Sequence, residues 1–263
     1  MKLDFAARVD IGPKQTNDDR VLVGGEILDR RSFAGSVETP TVMGVCDGVG
    51  GYAGGGIAAQ SVWELFLAEE PETLADAEHL ARVLHRCEEI DQNKKTAMPE
   101  YSAMCTTIAG CAFCDNAIAF FHSGDSRIYR HDNWGLARMT KDHSIVQEMV
   151  DMGEITPEEA LVHPRRNIIS RCIGAGGPAP EIYISGKPVN PGEKYLFCSD
   201  GLWECVKDDE IKEVLDSDMP LAQMVDVLVE KALSNGSDDN TSVCICSVQG
   251  TVNKVEIKPF VLD

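Results

Sequence analysis

Five stretches of the chain place aspartate where an apolar run stops or starts. Asp47 follows VMGVC and precedes Gly48, Asp125 follows FFHSG and precedes Ser126 and Arg127, and Asp200 follows YLFCS and precedes Gly201. Asp239 sits in SDDN just ahead of TSVCIC, and Asp18 and Asp19 close KQTNDD ahead of VLVGG. One aspartate beside a glycine at a strand end is an ordinary turn residue. Five, each abutting a run apolar enough to be a buried strand, make a pattern. Carboxylates massed at one edge repel each other unless they are protonated or bridged by cations. An all-oxygen donor set suits Mg²⁺ or Mn²⁺ over Zn²⁺, which prefers histidine or cysteine.

Other chemistries fit less well. The run from Gly48 to Ala53 can be set against the dinucleotide fingerprint GxGxxA. Asp47 would then push a negative charge at the pyrophosphate, and the following segments do not alternate strand with helix. There is no GxxxxGK[ST] loop, no cysteine followed six residues later by arginine, and no GxSxG elbow. Most of the ten cysteines lie inside apolar runs, as reduced thiols in a core do; the one CxxC, Cys111 and Cys114, lies in a β-like stretch without a second pair at zinc-finger spacing. The net charge of −19 excludes partners that need a positive field, nucleic acid and anionic membranes among them.

The elements that must carry the aspartates are legible in outline. TVMGVC at 41–46 reads as a short buried strand, and Ile57, Val62, Leu65 and Phe66 recur at helical spacing after it. A second helical face runs over about 73–93 through Leu74, Ala77, Ala81 and Leu84. Residues 103–131 read as two strands with a DN turn between them. From about 141 to 176 the chain turns helical and irregular, punctuated by Gly153, Pro157 and Pro164. EIYISG and KYLFCS restore strand character, helices follow near 208–216 and 220–234, and TSVCICSV is a last strand before a thirteen-residue tail. Paired strands and clustered helices imply antiparallel sheets with helices packed outside. Without an internal repeat or linker, one domain is expected. Without a signal-like or membrane-spanning apolar run, a cytoplasmic location is expected.

Eight segments in order, GPKQTNDD (12–19), VCDGVGG (45–51), MCTTIAG (104–110), GDSRIYR (124–130), TKDHS (140–144), HPRRNIISRCIG (163–174), CSDGLWE (198–204) and SDDNTSV (237–243), carry a resemblance over about residues 4–249. The sequence resembles the protein phosphatase 2C family of metal-dependent serine/threonine phosphatases in its compact bacterial form. That resemblance implies an α+β fold, a four-layer α/β/β/α sandwich. Two antiparallel β-sheets would carry helices on both outer faces, with a metal cleft at one end. It implies a catalytic domain over 1–250, a flap at about 144–170 and a C-terminal tail over 251–263.

The roles it implies follow residue by residue. Asp47 bridges two metals, with the carbonyl of Gly48 completing the second site. Asp200 and Asp239 hold the first metal, and Asp18 faces the second. Asp19 orients metal-bound water, and Asp125 joins Asp200 at a weaker third metal. The reaction implied is attack of a metal-bridging water on the phosphorus of phosphoserine or phosphothreonine, with two tightly bound Mn²⁺ or Mg²⁺ ions and a third held loosely. Lys14 stands where an arginine usually clamps the phosphate, so the planar bidentate grip is replaced by a point charge. Val49, Tyr52, Gly56 and Cys105 also depart from the family pattern, Cys105 replacing the small glycine of the usual GTT. His143 and His163, flanking the flap, are the candidate general acids. The expected partners are phosphorylated proteins, opposite a serine/threonine kinase. The alternative is a weak or inactive relative serving as a regulatory binding module, which Lys14 favours and the complete aspartate set disfavours. A small-molecule phosphoesterase is disfavoured by the −19 charge, which repels anionic substrates.

Overall fold

The computed structural model describes residues 1–49, 54–97, 101–115, 117–185 and 189–250. The expected tail over 251–263, and Tyr52 among the departures, lie outside the described residues.

Twelve strands form two six-stranded sheets, and every pairing is antiparallel. In chain order they are β1 (Lys2–Asp10), β2 (Asp19–Val23), β3 (Glu26–Leu28), β4 (Ser32–Glu38), β5 (Thr41–Asp47), β6 (Ile108–Phe113), β7 (Ile118–Ser123), β8 (Arg127–Asp132), β9 (Gly135–Arg138), β10 (Glu181–Ser185), β11 (Lys194–Cys198) and β12 (Thr241–Val248). One sheet has the order β4-β1-β12-β11-β8-β9, and the other β10-β7-β6-β5-β2-β3. The helices are α1 (Gly55–Leu67), α2 (Ala77–Ala97), α3 (Ile145–Asp151), α4 (Pro157–Leu161), α5 (Asp200–Trp203), α6 (Asp208–Asp216) and α7 (Leu221–Ser234), with a 3-10 turn at Pro71–Ala75.

Alternation along the central strands sorts side chains into three cores. In β12, Cys244, Cys246 and Val248 enter the layer between the sheets, while Val243 and Ile245 pack beneath α6 and α7. In β6, Ala109, Cys111 and Phe113 face the other sheet, while Ile108 and Ala112 face α1 and α2. A strand covered on both faces has no polar side to show, which is why these runs are continuously apolar. Trp63 of α1 illustrates the fit: its ring lies where a side chain on Gly44 or Gly110 would stand, and its Nε1 donates to the Arg20 carbonyl at 3.2 Å. No helix among the described residues is long and apolar enough to cross a membrane.

The four-layer expectation holds, and the details differ at the N-terminus and at 103–131. Residues 103–131 carry three strands, since the Ser123–Arg127 corner passes the chain from one sheet to the other. The strands β1 and β4, unassigned from sequence, pair over Lys2–Arg8.

Candidate active site

The strand register gathers the aspartates at one end of the sandwich. Asp19 opens β2 and pairs across the ladder with Asp47, the last residue of β5. Asp125 lies in the corner between β7 and β8, Asp200 begins α5 directly after β11, and Asp239 precedes β12. In the first sheet, Asp10↔Thr241 and Cys198↔Arg127 are the terminal pairs at that same end. Both sheets therefore deliver carboxylates to a common edge.

Backbone hydrogen bonds fix the turn after β5. The Asp47 carbonyl accepts from Thr107 N at 2.8 Å and from Thr106 Oγ1 at 2.9 Å. Gly48 N donates to the Asp18 carbonyl at 3.2 Å, and Val49 N to the Cys105 carbonyl at 3.0 Å. Glycine is required at 48: an added Cβ would stand 2.3 Å from the Gly55 backbone and 2.8 Å from the Asp18 carbonyl. Asp18 is further placed by Gly56 N, which donates to its Oδ1 at 3.0 Å.

The electrostatics are those of crowded acids. Burial, then repulsion from Asp19, Asp200, Asp125 and Asp239, raises the Asp47 carboxyl well above its ordinary range. Asp200 is raised by burial and by Asp125, Asp239, Glu204 and Asp19. Burial lifts Asp125 to about 7, with Asp142 adding to it. It lifts Asp19 to about 6, against the hydrogen bond from Ser199. Asp200 Oδ1 is buried without any hydrogen-bond partner. An unpartnered carboxylate oxygen inside an acidic, all-oxygen cluster fits a hard divalent cation. Among the described residues, the only three metal-ligating side chains with ligand atoms all within 4.8 Å of one another are His122, His143 and Glu181.

That second group holds a turn. The Gly124 carbonyl lies 3.2 Å from His122 Nε2, and Gly124 N donates to His143 Nδ1 at 3.1 Å. The two rings stack with centroids 4.2 Å apart. With Nδ1 accepting, neutral His143 carries its proton on Nε2, which lies 3.2 Å from Glu181 Oε1, off line for a hydrogen bond. A protonated nitrogen cannot ligate, and Arg171 already pairs with Glu181 at 3.4 Å. The imidazoles instead grip both backbone groups of Gly124, the residue before Asp125.

Lys14, in the loop after β1, donates to Asp239 Oδ2 at 3.0 Å. His163 lies two residues past α4, and its Nδ1 accepts from Arg165 N at 3.1 Å. Neither His143 nor His163 makes a hydrogen bond or ion pair to a site aspartate among the described residues. Three holding residues went unassigned from sequence. Asn240 accepts from Asp18 N at 2.8 Å and donates to the Ile11 and Thr16 carbonyls, so it ties the Lys14 loop to β12. Ser199 donates to Asp19 Oδ2 at 2.8 Å. Trp203 donates to the Asp125 carbonyl at 3.0 Å. All three stand inside motifs already singled out, CSDGLWE and SDDNTSV, so their position was visible and their duty was not.

No family model matches the chain. The chain is 33% identical over 220 residues to the serine/threonine phosphatase Stp of Listeria monocytogenes, covering 81% of this chain and 86% of that protein. The crystal structure of the Mycobacterium tuberculosis serine/threonine phosphatase PstP superposes with a TM-score of 0.82 at 31% identity, over 95% of this chain and 100% of that one. A PstP catalytic domain in complex with two manganese ions superposes with a TM-score of 0.79 at 30% identity, over 95% and 99%. The fold and the strand-end acids define a phosphatase of the protein phosphatase 2C class. This chain belongs to that family, among its bacterial serine/threonine phosphatases.

Proposed function

We propose that the chain hydrolyses phosphoserine and phosphothreonine in proteins, using divalent cations held by the strand-end aspartates. The observation that carries this reading is the delivery of Asp19, Asp47, Asp125, Asp200 and the half-exposed Asp239 from two sheets to one mutually repelling cluster. Asp47, the Gly48 carbonyl, Asp18, Asp200 and Asp239 would hold two Mn²⁺ or Mg²⁺ ions, and Asp125 with Asp200 a looser third. Bound there, the cations supply Lewis acidity that activates water and offsets charge on the phosphate oxygens.

The chain's own groups do the rest. Asp19, with Ser199 on Oδ2, is placed to orient the attacking water and accept its proton. Lys14 offers three donors to a phosphate beside Asp239, a point-charge contact in place of a fork. His163, half-buried on the flap, is the candidate proton donor to the leaving oxygen; His143 has its nitrogens at Gly124 and Glu181. The catalytic domain spans 1–250 with the flap at about 144–170, where Met152, just after α3, and Leu161 and Val162, at the end of α4, are exposed. A cytoplasmic location opposite a serine/threonine kinase completes the reading.

The test is hydrolysis of a phosphothreonine peptide with Mn²⁺, with Mg²⁺ and with EDTA. Turnover is expected with either cation and none with EDTA. Turnover unaffected by EDTA would refute the metal role, and Mn²⁺ binding without any turnover would support a binding module instead.

A further inference from the structure

All ten cysteines are free thiols, and their surroundings differ sharply. Seven are buried, and Cys205, which is not, is held above the ordinary thiol range by burial, with acidic neighbours adding to it. Cys105 and Cys172 are the other two reachable from solvent. They are brought together by a single antiparallel bridge: Thr106 N donates to the Ile173 carbonyl at 3.0 Å and Ile173 N to the Thr106 carbonyl at 2.8 Å. Cys105 and Cys172 then lie diagonally across the bridge on one face. Each thiol is the largest single influence on the other's ionisation.

We propose that Cys105 and Cys172 form a peroxide-responsive dithiol site that closes reversibly to a disulfide. Cys172, with Lys95 nearby, lowers the Cys105 thiol, while Cys172 is raised by Cys105 and by burial. Lys95 is anchored on the Gly174 carbonyl; Glu88, on Gly174 N and Gly176 N, and buried Asp91 are the acids facing the pair. Cys105 is thus the attacking sulfur and Cys172 the resolving one. The Cys105 thiolate attacks hydrogen peroxide: an S–O bond forms, the O–O bond breaks, and the departing hydroxide takes a proton to become water. The Cys172 sulfur then attacks the Cys105 sulfenic acid, giving its proton to the second departing water as S–S replaces S–O. Two thiols lose two electrons to one peroxide. The bond would tie the loop after the flap to the segment whose Cys105, Thr106 and Thr107 backbone and hydroxyl groups hold the Asp47 turn.

The full chain is treated with hydrogen peroxide, its remaining thiols are alkylated under denaturing conditions, and peptides are mapped by mass. Two of the ten cysteines should escape alkylation, joined as Cys105–Cys172, and dithiothreitol should restore both. In Cys172→Ser, Cys105 should stop at a sulfenic acid that dimedone traps; in Cys105→Ser, Cys172 should stay an alkylatable thiol. The proposal fails if both thiols survive a dose that modifies Cys205, or if wild-type Cys105 proceeds to sulfinic acid unbridged. It fails equally if Cys172 in Cys105→Ser reacts as fast as Cys105 in Cys172→Ser. None of these readouts depends on phosphatase turnover.

Discussion

Among the described residues, two places bury carboxylate oxygens without a partner: Asp200 at the strand-end cluster, and Asp91 on the inner side of α2. Both carboxyls are raised, and burial is the leading cause in each. They part in what comes next. At Asp200 the next causes are Asp125, Asp239, Glu204 and Asp19, all negative. At Asp91 they mix, with Lys94 and Lys95 pulling down and Glu88 pushing up, and the value settles at about 7. A single buried acid can be neutralised by one proton. A cluster of acids would need several, or a cation with more than one charge, and that difference separates a structural carboxyl from a metal-binding one.

The sharpest way to break the comparison is to remove one charge from each place. Asp200→Asn should lower phosphatase turnover by more than about 100-fold, since even partners behind a metal ligand cost 10- to 100-fold in affinity or activity. Its stability should cross over with metal. In EDTA the variant should be more stable than wild type by about 1–3 kcal/mol, the worth of relieving a like charge. With Mn²⁺ at about 100 times its Kd, wild type should gain roughly 2.7 kcal/mol and the variant far less. Calorimetry showing full-strength Mn²⁺ binding to the variant would remove Asp200 from the site.

Asp91→Asn should leave turnover and Mn²⁺ dependence alone and change how stability varies with pH. The folded-state value of about 7 lies above the ordinary 3.8. Between those values the folded chain keeps a proton that the unfolded chain releases, so wild-type stability falls as pH rises from about 4 through 7 and is level above. At about 1.4 kcal/mol per pH unit the full span is on the order of 4 kcal/mol. Asparagine matches the neutral acid in shape and cannot ionise. The variant should equal wild type near pH 4 and exceed it by about 2 kcal/mol or more at pH 8, read from denaturant unfolding at each pH. Parallel curves for the two proteins would show that Asp91 does not carry the proton.

Much of this contrast was open to a reader of the sequence, and part was closed. The site aspartates announce themselves because each follows or precedes a mostly apolar run, and such runs come from strands covered on both faces. Asp91, inside the polar stretch EEIDQNKK on α2, carries no such flag; Gly174, distant in sequence, packs against it so closely that an added Cβ there would stand 3.3 Å from the Asp91 Cβ. The same limit hid the edge strand β4, exposed at five of its seven residues and so without apolar alternation. It hid β1 for the opposite reason: Phe5, Ala6 and Ala7 are consecutive and all buried, Ala6 beneath α7 and its neighbours between the sheets, which blurs the period. His122 and Glu181 meet His143 only through the β7–β10 ladder, where Glu181 pairs with His122, and no local pattern predicts that pairing.

The smallest expected effect concerns how the cluster's edge is held. Asp125 is the most solvent-excluded corner of the proposed third site, and its backbone carbonyl is fixed by Trp203 Nε1 at 3.0 Å. The Trp203 ring lies under the Arg127 guanidinium, 3.6 Å from carbon to centroid. Arg127 in turn is held by both oxygens of Asp142, at 3.0 and 2.6 Å. Trp203→Phe keeps an aromatic face for Arg127 and deletes the one donor to Asp125. The loss of a neutral hydrogen bond is worth about 0.5–1.5 kcal/mol, which for a chain of this size lowers Tm by a few degrees, about 2–4 °C per kcal/mol. If the bond merely braces the corner, turnover should fall equally at all Mn²⁺ concentrations. If it positions a loosely held cation, turnover at limiting Mn²⁺ should fall by roughly fivefold more than at saturation, the kinetic equivalent of about 1 kcal/mol in metal affinity. The second outcome is expected, because a site built on few carboxylates depends most on where each one points. Steady-state rates across a Mn²⁺ titration, wild type beside variant, decide between them.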